Sequence, residues 1–548
     1  MVSFLPLLAN LTMAAGSLAA RARFERALRD PRGAQSRILQ RIMRANVTSQ
    51  YGRLHRFDRV NNARDFADRV PLVDYDAIAP WIDRAAAGEP AVLTAAPLRF
   101  MEPTGGSSGL HKLVPYTAAL QDEFSAATVP WLSDLVMRHP AVARGRAYWS
   151  ITPPGRREAR TAGGIPIGMG DDADYFPAPF RALIRESLAV PGLVSVAPDV
   201  ATCRYLTLLA LLAAPDLAFI SIWNPSFLTL LTDALDDEWV SLLDDLERGL
   251  RGARVAPALA ARVERAMPAR PGIARTLRRR FGNRPPDDLG QLWRRLAVIS
   301  CWTDAGAARA LGGMRRRFPA VAVQGKGLLA TEGVVSIPFG AGAPVAGVAS
   351  HYLEFLDPRD GRACRVDDLD VGGSYEVALT TSGGLYRYRL RDLVRIEGRL
   401  HRTPRLIFIG RADRASDMAG EKLTAPLVEH ALGAAVRTTG VHAGFAMLAP
   451  AWTPVPHYRL YVEAPAPDAD GLALALDREL RGAHHYALCR SLGQLGPIRA
   501  VSVRGGERIY ERACAERGQR AGSVKPPTLE PTPGWERYFE HDPTPLPA

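Results

Sequence analysis

Lysine is nearly absent from this basic sequence. Of the 69 lysine and arginine residues in the 548-residue chain, only four are lysine, and the formal net charge is +12. Both cations suit a solvated surface, but arginine is a poor substitute where a compact, mobile ammonium is required. The four lysines are therefore worth following individually, and they are Lys112, Lys326, Lys422 and Lys525.

Cysteine is also scarce, and its placement excludes two classes of site. The five cysteines are scattered, odd in number and form no Cys-x-x-Cys pair. A disulfide framework or a structural zinc site needs paired, closely spaced thiols, so neither is expected. This usage fits a reducing compartment, and we predict a cytoplasmic protein.

The sequence has no long uninterrupted hydrophobic run. Residues 1–20 carry no charged side chain, and Arg21 follows them. A signal peptide would place its positive charge before the apolar stretch, so we predict a docked N-terminal helix instead. The apolar stretch 205–223 is interrupted by Pro215, and each half is far shorter than the roughly 20 residues that a spanning helix needs. No membrane span is expected.

Large blocks of one charge are missing as well. Most arginines alternate with aspartate and glutamate, and the short arginine runs are 278–280 and 315–317. We interpret both runs as solvated faces, the first at a helix end, where cations meet unpaired carbonyls. Dispersed charge argues against a nucleic-acid or membrane-surface protein. A content of 47% hydrophobic and 23% charged residues is typical of a globular protein.

The pattern of apolar residues indicates an α/β protein. Helical and strand-like stretches alternate through the middle of the chain, which favours sheets covered by helices on both faces. A smaller α+β region follows the polar stretch 410–421. At roughly 100–200 residues per domain the length allows two or three domains. We predict a large N-terminal domain over residues 1–415 and a small, mobile C-terminal domain over 416–548, with the hinge within 410–421. The central stretches are strands at 147–152, 217–223, 292–302 and 320–324, and helices at 205–214 and 225–235.

The most informative loop runs from Thr104 to Lys112 and reads TGGSSGLHK. Its three glycines allow the backbone to approach a ligand closely, and its hydroxyls and lysine can donate to phosphate oxygens. It is not a Walker A loop, because the spacing GxxxxGK[ST] fails. An exposed linker is the alternative, but the scarce lysine favours a phosphate site with Ser107, Ser108, Gly109 and Lys112.

Two further segments place polar residues where α/β sheets bind ligands. Thr331 and Glu332 follow an apolar strand, and ligands usually bind beyond the carboxyl ends of strands. Thr331 could hold a phosphoryl oxygen, and Glu332 could offer an oxygen ligand to Mg²⁺. Asp392 lies near the end of a stretch of alternating bulky and charged residues, where it could accept from both ribose hydroxyls. An ordinary turn and a surface strand are the alternatives.

The two remaining lysines lie in turn-rich loops near the C-terminus. Lys422 follows Gly420 and Glu421, and Lys525 precedes two prolines. A lysine on a mobile loop suits charge stabilisation in phosphoryl or acyl-phosphate chemistry. Either could equally be a plain surface lysine.

Taken in order, these segments resemble the acyl acid amido synthetases of the auxin-responsive promoter (Gretchen Hagen) family, in a bacterial-like branch of the adenylate-forming enzymes. The resemblance spans nearly the whole chain. The phosphate loop matches at Thr104–Lys112, and the Thr-Glu motif at 328–332. The Tyr-x-x-Gly-Asp motif matches at 388–392, and the Gly-Arg-x-Asp hinge at 410–413. It implies an N-terminal domain of β-sheets packed between helices, a small C-terminal lid, and a ligase that uses ATP and Mg²⁺.

The resemblance also implies a role for each site residue. Ser107, Ser108, Gly109 and Lys112 would bind the β- and γ-phosphates, Thr331 the α-phosphate, and Asp392 the ribose, with Arg411 also in the nucleotide site. Glu332 would bind Mg²⁺. Lys422 would bridge the α-phosphate and the acyl carboxylate, and rotation about Asp413 could exchange it with Lys525. Lys326 could touch the acyl carboxylate or lie on the surface.

Two departures from the wider motifs matter. Leu328 and Leu329 replace a tyrosine and a glycine, so an aromatic partner for adenine must come from elsewhere, and Trp302 is a candidate. Arg391 replaces the glycine before Asp392.

The expected partners are a small carboxylic acid and an amine, most simply an amino acid. Residues 175–180 and 223–227 are expected to contribute to the acyl pocket. A ligase that forms a coenzyme A thioester and a catalytically silent nucleotide-binding relative are the alternatives. The acid, the amine and the oligomeric state stay open.

Overall fold

A computed structural model describes most of the chain. The described residues are 4–104, 112–150, 159–168, 187–250, 255, 257–305, 307–412, 415–416, 418–419, 421, 423–453, 455–491, 495–517 and 524–540. Ser107, Ser108, Gly109, Asp413, Lys422 and the predicted acyl-pocket stretch 175–180 therefore lie outside them. No helix among these residues combines the length and the apolar character needed to cross a membrane.

Helices surround the sheets along the whole described chain. Their bounds are α1 Phe4–Arg29, α2 Pro31–Ala45, α3 Gln50–Leu54, α4 Ala63–Arg69, α5 Tyr75–Ala86, α6 Ala118–Arg138, α7 Val200–Leu212, α8 Pro225–Arg248, α9 Pro257–Ala266, α10 Pro271–Phe281, α11 Ala307–Arg317, α12 Ala425–Thr439, α13 Ala466–Leu480, α14 His484–Ser491, α15 Gly506–Glu516 and α16 Glu536–Phe539. Short 3₁₀ turns lie at Phe57–Arg59, Val142–Arg144, Gly192–Val196 and Leu289–Gln291.

The N-terminal helix is docked, as predicted. Asn10 of α1 donates from Nδ2 to the carbonyls of Ala143 and Gly145 at 3.2 and 3.0 Å. Near the other end of the helix, Arg21 pairs with the buried Asp134 of α6 at 2.9 Å. The arginine run 278–280 lies in the last turn of α10, and 315–317 forms the last turn of α11.

Three sheets precede residue 412. One has the order β2-β1-β5-β4, from β1 Phe100–Thr104, β2 Lys112–Tyr116, β4 Ala159–Arg160 and β5 Pro166–Ile167. The second is parallel with the order β3-β6-β7-β8, from β3 Arg146–Trp149, β6 Leu217–Ser221, β7 Val298–Cys301 and β8 Ala322–Gly325. The third has the order β12-β11-β13-β14-β15-β10-β9, from β9 Ser336–Ile337, β10 Val345–Ala346, β11 Tyr352–Leu356, β12 Ala363–Arg365, β13 Ser374–Thr380, β14 Tyr388–Leu400 and β15 Thr403–Arg411.

The C-terminal region has its own sheets and cores. Strands β16 Ala415–Ser416 and β17 Leu423–Thr424 pair, and β18 Ala446–Ala451, β19 His457–Val462 and β20 Arg499–Ser502 form a three-stranded sheet. Two apolar clusters pack on this sheet, one with α12 and α13 and the other with α15 and α16. The fold is thus a mixed α/β structure with a large N-terminal part and a smaller C-terminal part.

One predicted strand is wrong over half its length. The apolar pattern predicts a continuous strand over 292–302, but only Val298–Cys301 is a strand. The preceding apolar side chains are buried by turns instead, and the Trp293 indole donates to the Leu211 carbonyl at 2.9 Å. Burial alone produced the strand-like pattern, because buried turns and buried strands have similar composition.

Candidate functional site

A cavity of about 240 Å³ lies where the two parts of the molecule meet. Residues from the ends of strands line one side of it, and residues from α12 and the segment 525–528 line the other. Predicted site residues occur on both sides, with Asp392 and Arg411 opposite Lys525. The described lining residues are Trp302, Thr303, Asp304, Ala305, Gly327, Leu328, Leu329, Ala330, Asp392, Phe408, Gly410, Arg411, Ala425, Glu429, Lys525, Pro526, Pro527 and Thr528.

Asp392 is fixed by the central strands of the large sheet. It lies on β14 opposite Arg411 of β15, and Arg411 donates to its carboxylate at 3.1 Å. Arg391, which stands where the wider motif has glycine, has a φ of 63°. That is the left-handed region, which glycine adopts readily and other residues adopt at a cost of about 1–2 kcal/mol. A glycine at this position could adopt the same conformation without that cost.

Arg391 has contacts that hold this conformation. Its guanidinium reaches Asp74 at 3.2 Å, and its carbonyl accepts from the Ala412 amide at 2.7 Å. Arg387, four residues earlier, is buried rather than solvated and pairs with the buried Glu354 at 3.0 Å. The strand begins at Tyr388, and the segment before it is part of the core rather than a wet surface strand.

Thr331 and Glu332 form a turn beside the cavity wall. The hydroxyl of Tyr116 donates to the Thr331 carbonyl at 2.6 Å, which ties this turn to β2. Burial raises the pKa of Glu332, while the nearby cations Arg411 and Lys112 act in the opposite direction. The structure thus brings Glu332 near two other predicted site residues that are distant in sequence.

Lys112 opens β2 at the end of the predicted phosphate loop. It pairs in register with Thr104 of β1, so the ends of residues 105–111 are held by an antiparallel pair of strands. Its ammonium lies 5.1 Å from the centre of the Tyr75 ring, and the Tyr75 hydroxyl accepts from the Leu113 amide at 2.9 Å. The anchor of the loop is therefore placed near Glu332.

Lys525 faces the cavity from the C-terminal part. Its ammonium lies 3.1 Å from the centre of the Trp302 ring and 5.8 Å from that of Phe408. One face of Trp302, the candidate partner for adenine, is covered by this lysine. A base can stack on that face only if Lys525 moves.

Sequence reasoning missed two carboxylates of the cavity. Asp304 follows β7 and accepts from the Phe408 amide at 3.3 Å; burial raises its pKa, and the charge of Lys525 opposes this. Glu429 of α12 accepts from the Thr528 hydroxyl at 3.1 Å. Asp304 could have been proposed from the sequence, because it follows a parallel strand. Glu429 could not, because its place in the cavity depends on how the two parts pack.

Lys326 is not a surface residue. Only 4% of it is exposed, and its ammonium donates to the Ser221 hydroxyl at 2.8 Å. It also lies 4.4 Å from the centre of the Trp223 ring, which in turn lies 5.2 Å from that of Trp302. The alternative of a solvated lysine is therefore wrong.

The carboxylates fit a magnesium site that is completed by the substrate. Among the described residues, no group of three or more histidine, cysteine or carboxylate side chains could enclose an ion. Mg²⁺ is typically held by one or two carboxylates together with substrate phosphates and water, rather than by an all-protein cage. A single carboxylate at Glu332, with Lys112 and Arg411 near it, is compatible with that arrangement.

Comparison with known proteins identifies the family. The N-terminal, central and C-terminal domains of the GH3 family match residues 20–317, 345–411 and 427–533. A probable indole-3-acetic acid-amido synthetase of Oryza sativa subsp. japonica is 27% identical over 441 residues, which cover 71% of this chain and 70% of the relative. A jasmonoyl–L-amino acid synthetase of Nicotiana attenuata is 23% identical over 76% and 75% of the two chains.

A solved structure has the same fold. The GH3.15 acyl acid amido synthetase in complex with 2,4-DB superposes with a TM-score of 0.82 at 18% identity, covering 94% of both chains. The predicted residues of the cavity come from all three matched domains, with Trp302 in the N-terminal domain, Asp392 and Arg411 in the central domain and Lys525 in the C-terminal domain. On the evidence of its three matching domains, the chain belongs to the GH3 family of acyl acid amido synthetases.

Proposed function

We propose that this protein is an ATP-dependent acyl acid amido synthetase that joins a carboxylic acid to an amino acid. The observation that carries the proposal is the cavity that has Asp392, Arg411 and Lys525 around one space, directly beside the Thr331–Glu332 turn. In the first half-reaction, a carboxylate oxygen attacks the α-phosphorus of ATP and pyrophosphate leaves. In the second, the amine nitrogen attacks the acyl carbon, AMP leaves, and the nitrogen loses a proton.

Different residues bind different parts of the nucleotide. Asp392, held by Arg411, binds the ribose hydroxyls, and Thr331 contacts the α-phosphate. Ser107, Ser108, Gly109 and Lys112 bind the β- and γ-phosphates from the loop between β1 and β2. Glu332 holds Mg²⁺, which supplies charge neutralisation on the phosphates when bound.

The protein's main contribution is position and charge. Nucleotidyl transfer needs little covalent help, since alignment of the reactants and stabilisation of the developing charge supply most of the acceleration. Lys422 bridges the α-phosphate and the attacking carboxylate during adenylation. Lys525 takes its place when the C-terminal domain rotates for amide formation.

The proposed rotation divides the chain into residues 1–415 and 416–548, with the hinge within 410–421. Its support is the separate apolar cores of the C-terminal part and the end of β15 at Arg411. The position of Lys525 on Trp302 supports a rearrangement, because adenine and the ammonium compete for the same ring face. We place the enzyme in the cytoplasm, where ATP and free amino acids are abundant.

The first test is carboxylate-dependent exchange of pyrophosphate into ATP, with a panel of aromatic, aliphatic and indolic acids. We expect exchange with at least one acid, requiring Mg²⁺, and its loss in Lys422→Ala. No exchange with any acid would identify a silent nucleotide-binding relative. The control is Arg402→Gln, which removes one positive charge from the exposed turn between β14 and β15 and should leave the exchange unchanged.

The second test identifies the acceptor. Acyl-AMP formed with the active acid is offered amino acids in one reaction and coenzyme A in another. Amide products with amino acids and no thioester support the proposal. A thioester as the sole product would make the protein an acyl-CoA-type ligase.

A further inference from the structure

A row of polar side chains crosses the parallel sheet at the carboxyl ends of its strands. The register pairs Trp149 of β3 with Ser221 of β6, Ser221 with Ser300 of β7, and Ser300 with Gln324 of β8. Residues paired across neighbouring strands point to the same face of a sheet, so these four side chains form one line. Ligands of open α/β sheets usually bind at this edge.

The face that carries the row is the one covered by α6. Phe219 and Val298, two residues earlier on β6 and β7, belong to the same apolar cluster as Trp131 of α6. The Trp131 indole donates to the Gln324 side-chain oxygen at 3.0 Å, and its ring lies 6.5 Å from that of Trp149. The indole rings of Trp131 and Trp149 thus lie beside the polar row.

Lys326 places a positive charge beside this row. Its ammonium donates to Ser221 at 2.8 Å and lies 4.4 and 5.9 Å from the ring centres of Trp223 and Trp131. Burying an ammonium is unfavourable unless it is compensated by hydrogen bonds, π-faces or an anion. The geometry is that of a cation held by aromatic walls, with donors that can point at a ligand.

Ser300 provides an independent indication that a polar ligand group binds here. It is fully buried in the middle of the row, and its hydroxyl has no hydrogen-bond partner among the described residues. An unsatisfied buried hydroxyl costs about 1–3 kcal/mol, which alanine at the same position would avoid. A hydroxyl at the carboxyl end of a central parallel strand is well placed for a ligand atom.

This row adjoins the nucleotide cavity. Trp223, over which Lys326 lies, contacts Trp302, and Trp302 lines that cavity. The next residue after Lys326, Gly327, lines it as well. The row and the cavity are therefore neighbours in the fold.

We infer that Ser300, Gln324 and Lys326, walled by Trp131 and Trp223, form a specificity subsite for the acyl acid. The subsite selects flat aromatic acids that carry a second anionic or hydrogen-bond-accepting group, at the end remote from the carboxylate that is adenylated. The ring packs between the indoles, and the remote group accepts from the ammonium and the Ser300 hydroxyl. This inference rests on the proposed function, because it assumes that an acid is activated in the adjoining cavity.

The test compares phenylacetate with its para-hydroxy and para-carboxy derivatives in the ATP–pyrophosphate exchange assay. A hydrogen bond to a charged group contributes about 1.5–3 kcal/mol, so we expect kcat/KM to be roughly 10- to 100-fold higher for the para-carboxy acid. Lys326→Met, which keeps the apolar stem, should abolish this preference, so that the ratio of kcat/KM for the para-carboxy acid to that for phenylacetate falls to about one. Quenching of tryptophan fluorescence by the three acids, without ATP, gives the same order independently of turnover.

Ser300→Ala separates the subsite from a purely structural role. We expect unchanged or higher thermal stability, since an unsatisfied hydroxyl is removed, together with a roughly fivefold or larger loss for the substituted acids. Ser350→Ala is the matched control, because Ser350 is another fully buried serine without a hydrogen-bond partner in the described part of the chain, away from the row. It should leave the preference unchanged.

Two results would overturn the subsite. One is exchange with phenylacetate but no preference for the substituted acids, which leaves the proposed function intact. The other is an equal loss for all three acids in a folded Lys326→Met protein, which would place the ammonium at the carboxylate being activated. Failure of every acid to support exchange would overturn the proposed function and, with it, this inference.

Discussion

The two sides of the nucleotide cavity are built differently. On the N-terminal side, Asp392 is carried by β14 in the middle of a seven-stranded sheet, and Glu332 lies in a turn bonded to β2. On the C-terminal side, Lys525 lies on the irregular segment before Thr528, outside any helix or strand. The recognition groups are therefore held by strands, whereas the cation is held by a connecting segment.

Anchoring in the core reinforces this difference. Arg387, just before β14, makes a bidentate contact with Glu354 and also donates to the carbonyls of Ala67 and Val70. The segment carrying Lys525 is tied down after the lysine, where the backbone of Leu448 bonds with Thr528 and Glu530. In the proposed mechanism, the groups that bind the nucleotide are therefore anchored in the core, and the charge that is exchanged lies on the part that rotates.

A second contact between the two parts includes an ion pair. Arg508 of α15 lies 3.6 Å from Asp233 of α8, which is a long ion pair. Burial raises the pKa values of Glu507, Glu511 and Asp233 around it. Burial disfavours the charged form of each of these acids.

Glu332→Gln should have the largest effect on adenylation, because it removes the negative charge that we propose binds Mg²⁺ while keeping the shape of the side chain. We expect adenylation to fall by about 10³-fold, or roughly 4 kcal/mol of transition-state stabilisation. Pyrophosphate exchange measured against Mg²⁺ concentration checks this. Glu429→Gln, on the opposite side of the cavity, is the control and should lose less than about fivefold; equal losses would contradict the assignment.

Arg387→Met tests whether the stability of the sheet that carries Asp392 depends on the buried ion pair between Arg387 and Glu354. The substitution leaves Glu354 buried and unpaired, which typically costs about 3–5 kcal/mol in the free energy of unfolding. Denaturant unfolding followed by circular dichroism measures the change. Arg395→Met breaks an exposed pair with Glu397 on the same strand and should cost less than about 1 kcal/mol; similar values for the two variants would refute the prediction.

Glu507→Gln tests the effect of burying this carboxyl on stability through pH. Burial, with Glu511 and Glu463 nearby, raises the pKa of Glu507 from 4.5 to about 7. The folded state therefore holds a proton that the unfolded state releases, so this contribution to stability is complete below pH 4.5 and is lost as pH rises through 7.

The size follows from about 1.4 kcal/mol per pKa unit, which gives a stabilisation by Glu507→Gln of roughly 3–3.5 kcal/mol at pH 8 and almost none below pH 4.5. Thermal melts at the two pH values measure it. Glu516→Gln, exposed on the same helix, is the control. A gain in stability that is independent of pH would show that the ionisation of the Glu507 carboxyl is not its cause.

Lys525→Met should have the smallest effect and tests the proposed exchange directly. Adenylation should change by less than about threefold, while amide formation from preformed acyl-AMP should fall about tenfold, or roughly 1.4 kcal/mol. Rapid-quench measurements separate the two half-reactions, and Lys525→Arg should recover only part of the loss, because guanidinium is larger and planar. Equal losses of rate in both half-reactions would contradict the proposed exchange of Lys422 and Lys525.

Local motifs made much of the fold and site predictable. Alternating helical and strand-like segments indicated the α/β architecture, because packing on one face leaves a periodic apolar pattern. The N-terminal helix was predicted from the absence of charge before Arg21. Glu332 was proposed because ligand-binding residues often follow strands, a position that can be read from the sequence without knowing how the strands are ordered. Asp392 was proposed from a strand-like stretch of alternating bulky and charged residues, and it lies within β14 rather than near the end of a strand.

The sequence by itself determined the set of candidate site residues: a small set of lysines, two carboxylates and a segment of glycines and hydroxyls. Only the tertiary structure decided their surroundings. Lys326 is buried because Trp131 and Trp223 come from α6 and the end of β6, and Lys525 covers Trp302 because the two parts of the chain pack there. Burial and charge pairing arise from segments that are far apart in sequence, so no local pattern records them.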